Sequence, residues 1–315
     1  MTMLVTGGAG FLGTRLIARL LAGGSGDAPA SRVVCVDRVP ATLDDARVVS
    51  RVGDIADAAF VESVVDEDVS AVWHLAAVLS GQSESEPALA MSVNVDGTQA
   101  LLDACRRLPR PPRFVLASTV AVYGGPLPTV VPDDMALRPQ STYGMSKAIA
   151  ELIVLDATRR GTVDGIVCRL PTVAIRPGRP NSAMSSFVSG IVREPLAGVP
   201  ATCPVPLDTP LWVSSPRATT ENLVRAGHLD ASAFDDVRAV TLPGLTLTPA
   251  DLLDSLARTA GAAVRALVSL APDPVITRTV LTWPGAFDIT RATALGFEND
   301  RDADTLVRQY VTSLA

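Results

Sequence analysis

Short, nearly continuous apolar runs alternate with helical patterns over the first half of the chain. Residues 3–6, 32–37, 48–53, 71–77, 113–118 and 165–170 each read as a strand with few polar interruptions. Residues 14–22, 59–66, 88–108 and 143–160 repeat their apolar positions at helical spacing. Strands without in/out alternation are buried on both faces, and their alternation with helices predicts a parallel sheet covered on both sides. The expected fold class is therefore α/β, a doubly wound Rossmann sheet with a smaller C-terminal α/β cap. After Pro171 the segments shorten and prolines multiply. Strands are expected over 237–242 and 263–270, and a helix over 251–261 opened by Thr248-Pro249. This predicts a nucleotide-binding domain over 1–172, with a returning segment near 215–245, and a mainly substrate-binding cap over 173–315.

The first strand runs into Gly7-Gly8-Ala9-Gly10-Phe11-Leu12-Gly13 and then a helix. Glycines at 7, 10 and 13 let the backbone turn tightly and approach a pyrophosphate, which the N–H groups and positive end of the helix attract. The second strand ends in Asp37, where a carboxylate accepts from both ribose hydroxyls and repels a 2′-phosphate. NAD is favoured over NADP, with the adjacent Arg38 arguing the other way. Asp54 and Ile55 are expected at the adenine. Leu75, Ala76 and Ala77 end the fourth strand, where small residues let a cofactor lie against backbone.

Composition narrows the partners. The net charge is −6, with 48% apolar and 19% charged residues, which argues against nucleic acid or a membrane surface. Two histidines, His74 and His228, are too few for an ordinary zinc site, so no metal is expected. The four cysteines contain no CxxC pair and read as buried thiols of a reduced compartment. No apolar run reaches membrane-spanning length and the N-terminus reads as a strand rather than a leader, so a cytoplasmic location is expected.

Lys147 is the one lysine among 27 basic residues, four positions after Tyr143. On a helix these two share a face. An ammonium stabilises a phenolate and lowers its pKa from about 10, and a tyrosine tuned in this way can exchange a proton with a substrate near neutral pH. A guanidinium stays charged and forked and is a poorer choice.

These residues, in this order, resemble the extended short-chain dehydrogenases/reductases, which include nucleotide-sugar epimerases and dehydratases. The resemblance rests on the glycine motif, Asp37, Asp54-Ile55, His74-Leu75-Ala76-Ala77, Asn94-Val95-Asp96-Gly97-Thr98, Ser118-Thr119, Val122-Tyr123-Gly124 and Tyr143 with Lys147. It implies catalysis by Tyr143 and Lys147 with a hydroxyl from Thr119 or the neighbouring Ser118. It also implies NAD contacts from Asn94, Pro171 and Val173, and a homodimer built on the helices at 88–108 and 143–160. The C-terminal half, from Cys168-Arg169-Leu170-Pro171 to Arg179-Pro180-Asn181 and Ser215-Pro216-Arg217, resembles the D-erythronate dehydrogenase subgroup. This implies oxidation of the C2 hydroxyl of a small sugar acid.

A sugar acid needs a cation for its carboxylate. Arg176, Arg179, Arg193 and Arg217 are the candidates, Arg217 foremost, because a guanidinium meets a carboxylate through two parallel bonds. Ser80 and Asn181 are candidates for substrate hydroxyls. A nucleotide-sugar epimerase is the alternative enzyme. Dehydration is disfavoured because Val120 and Ala121, not an acid, follow Thr119. A non-catalytic NAD(P)-sensing regulator is disfavoured because Tyr143 and Lys147 are both kept.

Overall fold

The computed structural model describes residues 1–24, 28–178, 183–234 and 237–314. The chain forms two compact units, each discontinuous in sequence. The first takes 1–119, 141–169 and 220–240, and the second takes 120–140, 170–219 and 241–315.

The first unit opens with β1 (Thr2–Thr6), α1 (Phe11–Ala22), β2 (Arg32–Asp37), β3 (Val48–Val52), α2 (Ala58–Val64) and β4 (Val69–His74). It continues through α3 (Ser80–Ser85), α4 (Pro87–Met91), α5 (Gly97–Cys105), β5 (Arg113–Thr119), α6 (Thr142–Arg159) and β6 (Asp164–Leu170). The seven-stranded sheet has β6-β5-β4-β1-β2-β3 as its order, with strand 239–241 flanking β6. Its β1–β2, β1–β4, β2–β3 and β4–β5 pairs are all parallel. Strand order reverses at β1, the position at which open α/β sheets bind ligands. All five residues of β1 are buried, as a strand covered on both faces requires. Leu4, Val34, Val72, Leu101, Phe114 and Val167 form the core against α2, α5 and α6.

The expected helix over 88–108 is not one regular helix. Between α4 and α5 lies a π-turn, Ser92–Asp96, which buries Asn94 completely. A π-turn adds a residue to the turn and re-aims the side chains there, a local change that apolar periodicity does not report.

The second unit adds β7 (Thr172–Val173), α7 (Ser186–Leu196), β8 (Ala201–Cys203), β9 (Leu211–Ser214), the start of α8 (Pro216–His228, which continues into the first unit) and β11 (Leu245–Leu247), while β10 (Ala239–Thr241, the flanking strand) lies in the first unit up to Val240. After α9 (Pro249–Ala260), the expected strand over 263–270 is instead a short helix, α10 (Ala262–Arg265), followed by β12 (Val268–Leu270). The run Ala262-Ala263-Val264-Arg265 makes one helical turn after Gly261, whose φ is +94°, and only the last three residues, Val268 to Leu270, pair with β8. A β11-β9-β7 sheet and the apolar set Ile191, Val205, Val213, Leu252 and Leu306 make this unit's core. Among the described residues no helix is long and apolar enough to cross a membrane. All four cysteines are buried thiols.

Candidate active site

The turn between β1 and α1 requires glycine on steric grounds. A Cβ on Gly13 would sit 2.1 Å from the Gly7 carbonyl oxygen, and one on Gly7, whose φ is +67°, would sit 2.8 Å from the Ala76 nitrogen. Gly10 is the N-cap of α1 and supplies no side-chain cap. The first-turn N–H groups, on Phe11, Leu12 and Gly13, therefore have no partner inside the helix or from the cap and are available to an anion. The Asp37 carboxylate accepts from the Ala9 nitrogen at 3.0 Å and the Arg38 nitrogen at 2.7 Å. It sits beside the glycine turn and keeps further acceptor capacity for ribose hydroxyls. Asp54 is half-buried and accepts from the Ala56 nitrogen at 3.0 Å, and Ile55 is buried against Gly97. Leu75, Ala76 and Ala77 form a half-buried run after β4. A bare turn of this shape, an unspent helix N-terminus and a carboxylate ending β2 fit a dinucleotide.

Tyr143 and Lys147 lie one turn apart on α6, as the spacing predicts. The start of the helix is held twice: Ser141 accepts from the Gly144 nitrogen at 3.0 Å, and Glu84 accepts from the Thr142 nitrogen at 2.7 Å. Tyr143 is half-buried. Lys147 is only 1% exposed. Burial drives its pKa down to about 8, against the opposing charge of Glu151.

A buried polar chain runs beside this pair. The Ala76 nitrogen donates to Thr6 Oγ1 at 3.2 Å, and Thr6 Oγ1 lies 2.7 Å from His74 Nδ1. His74 Nε2 lies 2.9 Å from Thr98 Oγ1, which itself donates to the Asn94 carbonyl at 2.7 Å. With the Thr98 proton committed, His74 Nε2 carries the ring proton and Nδ1 accepts from Thr6, so the imidazole is neutral. Burial first, and then Lys147, push its pKa down to about 3. The Asn94 side chain accepts from the Val78 nitrogen at 2.8 Å and donates to the Val78 carbonyl and to Ser146 Oγ. Ser146 in turn donates to the Tyr143 carbonyl at 2.9 Å. The amide of Asn94 is thus spent on protein groups.

The two candidate hydroxyls differ. Ser118 is 3% exposed and donates to Glu151 at 2.5 Å, whereas Thr119 ends β5 half-buried. Glu151 is also held by Arg169, whose Nε reaches both carboxylate oxygens, at 3.2 and 3.0 Å, and whose Nη2 donates at 2.8 Å. Neither Glu151 nor Arg169 emerged from the sequence reading. Their signal was available: an acid one turn after Lys147, and an arginine inside an apolar strand, are residues rarely buried unless paired.

The remaining candidates divide as follows. Ser80 opens α3 and is half-buried. Pro171, Val173, Arg176 and Arg217 belong to the second unit. Arg176 is half-buried, with its backbone nitrogen bonded to Ser189. Arg193 is 7% exposed and is committed to the Arg176 carbonyl and to Glu194, so its role is structural. Arg217 is exposed near the start of α8. That helix start is clamped by Asp300, which accepts from the Ser215 nitrogen and Ser215 Oγ, both at 2.7 Å. Asn181 and Arg179 fall outside the described residues. Among the described residues no cluster of His, Cys, Asp and Glu could hold a metal ion.

Comparison with known proteins shows the family. Residues 3–208 match the NAD dependent epimerase/dehydratase family. The D-erythronate dehydrogenase of Cupriavidus necator is 49% identical over 99% of this chain and 98% of its own length. That of Haemophilus influenzae is 38% identical over 99% of both. Among solved structures, one described as the nucleoside-diphosphate-sugar epimerase from Agrobacterium tumefaciens superposes with a TM-score of 0.94 at 34% identity. It covers 99% of this chain and 94% of that one.

Proposed function

Because the chain belongs to the NAD dependent epimerase/dehydratase family, we propose that it is an NAD-dependent dehydrogenase. In this reading it oxidises the C2 hydroxyl of a small sugar acid, D-erythronate or a near analogue, to the 2-keto acid. The observation that carries the reading is Lys147: the chain's single lysine, buried one helical turn from Tyr143. The two D-erythronate dehydrogenases, similar over full length, support the substrate class.

NAD, when bound, supplies the hydride acceptor. The N–H groups of Phe11, Leu12 and Gly13 would hold its pyrophosphate, Asp37 its ribose hydroxyls, and Asp54 with Ile55 its adenine. Leu75, Ala76, Ala77, Pro171 and Val173 complete the cofactor contacts, and Asn94 acts through Val78 and Ser146. Tyr143, as phenolate, takes the proton of the substrate hydroxyl. Lys147 stabilises the phenolate, and its pKa near 8 leaves it charged at neutral pH. Thr119 is the hydroxyl that bonds the reacting oxygen, since Ser118 already donates to Glu151. Arg176 and Arg217 pair with the substrate carboxylate, and Ser80 and Asn181 bind its hydroxyls.

The same reading includes a homodimer and a cytoplasmic location. The first is supported by the large apolar side chains Met145 and Leu152, exposed on α6 seven residues apart. The second is supported by the buried, unpaired thiols.

The test is incubation of purified protein with NAD and D-erythronate while following NADH absorbance. Net NADH production is expected. The Agrobacterium structure favours a second reading, an epimerase that keeps and recycles NAD. Tightly held NAD, no net NADH and interconversion of a nucleotide sugar would establish that reading instead.

A further inference from the structure

Behind Lys147 lies a second charged pair, Glu151 and Arg169. Glu151 is completely buried one helical turn beyond Lys147. Donors from two strands converge on its carboxylate: Ser118 from β5 at 2.5 Å, and Arg169 from β6 through Nε at 3.0 Å and Nη2 at 2.8 Å. Arg169 is itself 6% exposed. One buried carboxylate therefore serves two buried cations, and its bidentate bond goes to the arginine.

We propose that Glu151 and Arg169 are a positioning pair that sets the protonation of Lys147. Glu151 holds the ammonium charged, and Arg169 occupies the carboxylate so that the ammonium stays available to Tyr143.

The electrostatic argument is direct. A buried ammonium is penalised by desolvation, and a carboxylate one turn away offsets that penalty. Were the carboxylate not engaged by Arg169 and Ser118, it would pair with Lys147 and draw it away from the phenol. The other titratable groups around Lys147 do not supply this balance. His74, facing it from β4, is neutral, with both ring nitrogens occupied by threonines. Tyr143 is the group being served. Cys168 of β6, which feels the Glu151 charge, has its thiol pushed up by burial and stays protonated. Glu84, at the start of α6, is bonded to the Thr142 backbone. The pH at which Lys147 gives up its proton is near 8, so a shift of about one pH unit in either direction changes its charge in the working range.

The inference rests on Tyr143 and Lys147 being the reacting pair, yet it can be read without any substrate. Lys147 is the chain's single lysine, so full-length protein grown with 13Cε-labelled lysine gives one lysine resonance, whose shift titrates with its charge. The expected midpoints move in opposite directions. Arg169→Gln removes a positive charge and raises the midpoint by about one pH unit or more, while Glu151→Gln removes a negative charge and lowers it by a similar amount. A pair that merely braces the fold would move neither, or both together. Glu151→Gln leaves Arg169 buried without its counter-charge, and where that variant fails to fold, Arg169→Gln decides alone. There Glu151 keeps Ser118, Lys147 and the new amide. An unchanged or lowered midpoint in Arg169→Gln overturns the proposal. The alkaline limb of NADH production, where Lys147 loses its charge, should follow the resonance. Absence of NADH with D-erythronate would count against the substrate reading only, whereas NADH production with an unmoved resonance would count against the pair only.

Discussion

Gly13→Ala tests the cofactor cradle at its tightest point. The new methyl would start 2.1 Å from the Gly7 oxygen, 2.6 Å from Gly8 Cα and 2.9 Å from the Gly7 carbonyl carbon, all backbone atoms with no flexible end to swing away. Restoring an ordinary 3.4 Å contact to the oxygen demands a separation larger by about 1.3 Å (3.4 − 2.1). Overpacking of this kind costs about 1–3 kcal/mol. Gly13 is buried at the foot of α1, so the strain falls on the turn and helix N-terminus together, the elements proposed to present their N–H groups to a pyrophosphate. A displacement of about 1 Å in a positioning element costs on the order of a hundredfold. We expect the Kd for NAD, measured by titration calorimetry, to rise at least about tenfold, or ~1.4 kcal/mol. Circular dichroism should be retained, and Tm should fall by a few degrees. Wild-type NAD affinity in a folded Gly13→Ala protein would refute the assignment of this turn as the pyrophosphate cradle.

Other expectations follow from the same geometry. Tyr143→Phe should bind NAD normally in calorimetry and lose about 10²–10⁴-fold in kcat; turnover within tenfold of wild type would remove Tyr143 from the chemistry. Asp37→Ala should narrow the ratio of kcat/KM for NAD over NADP, and an unchanged ratio would show that Asp37 does not read the ribose. Asp300→Ala strips the clamp from Ser215, leaving a buried backbone nitrogen unsatisfied, and should lower urea stability by about 1–3 kcal/mol; no change in the midpoint would count against that clamp. His74 is held neutral, with its folded pKa near 3 against about 6.5 in the unfolded chain. Between those values the unfolded state binds the extra proton, so stability falls as pH drops below about 6.5. The pH dependence of urea unfolding between pH 6.5 and 5 should therefore be shallower in His74→Gln, by up to about 1.4 kcal/mol per pH unit.

Local patterns carry their meaning within a few residues. The strand and helix periodicities, the Gly7-Gly10-Gly13 turn, Asp37 at a strand end and the four-residue step from Tyr143 to Lys147 are of this kind, because backbone geometry at short range turns spacing into position. That is why the parallel sheet and the first half of the candidate site were legible in the sequence. The breaks in regularity were not. The π-turn at Asn94 and the one-turn helix at 262–265 depend on packing that hydropathy alone does not encode.

Partnerships across long sequence separations belong to the tertiary structure alone. Glu151 meets Ser118 33 residues away and Arg169 18 residues away, and Ser215 meets Asp300 85 residues away. A buried carboxylate must find donors, but its own neighbourhood in sequence does not say which strand will bring them. The choice between the adjacent hydroxyls Ser118 and Thr119 turns on the same point. The two are alike in sequence and differ in the fold, because alternate strand positions point to opposite faces and Ser118 faces Glu151. The sequence alone therefore determined the sheet, the cradle and the Tyr143–Lys147 pair. Only the folded chain decided what surrounds Lys147, because a buried charge takes its properties from groups that the sheet brings together.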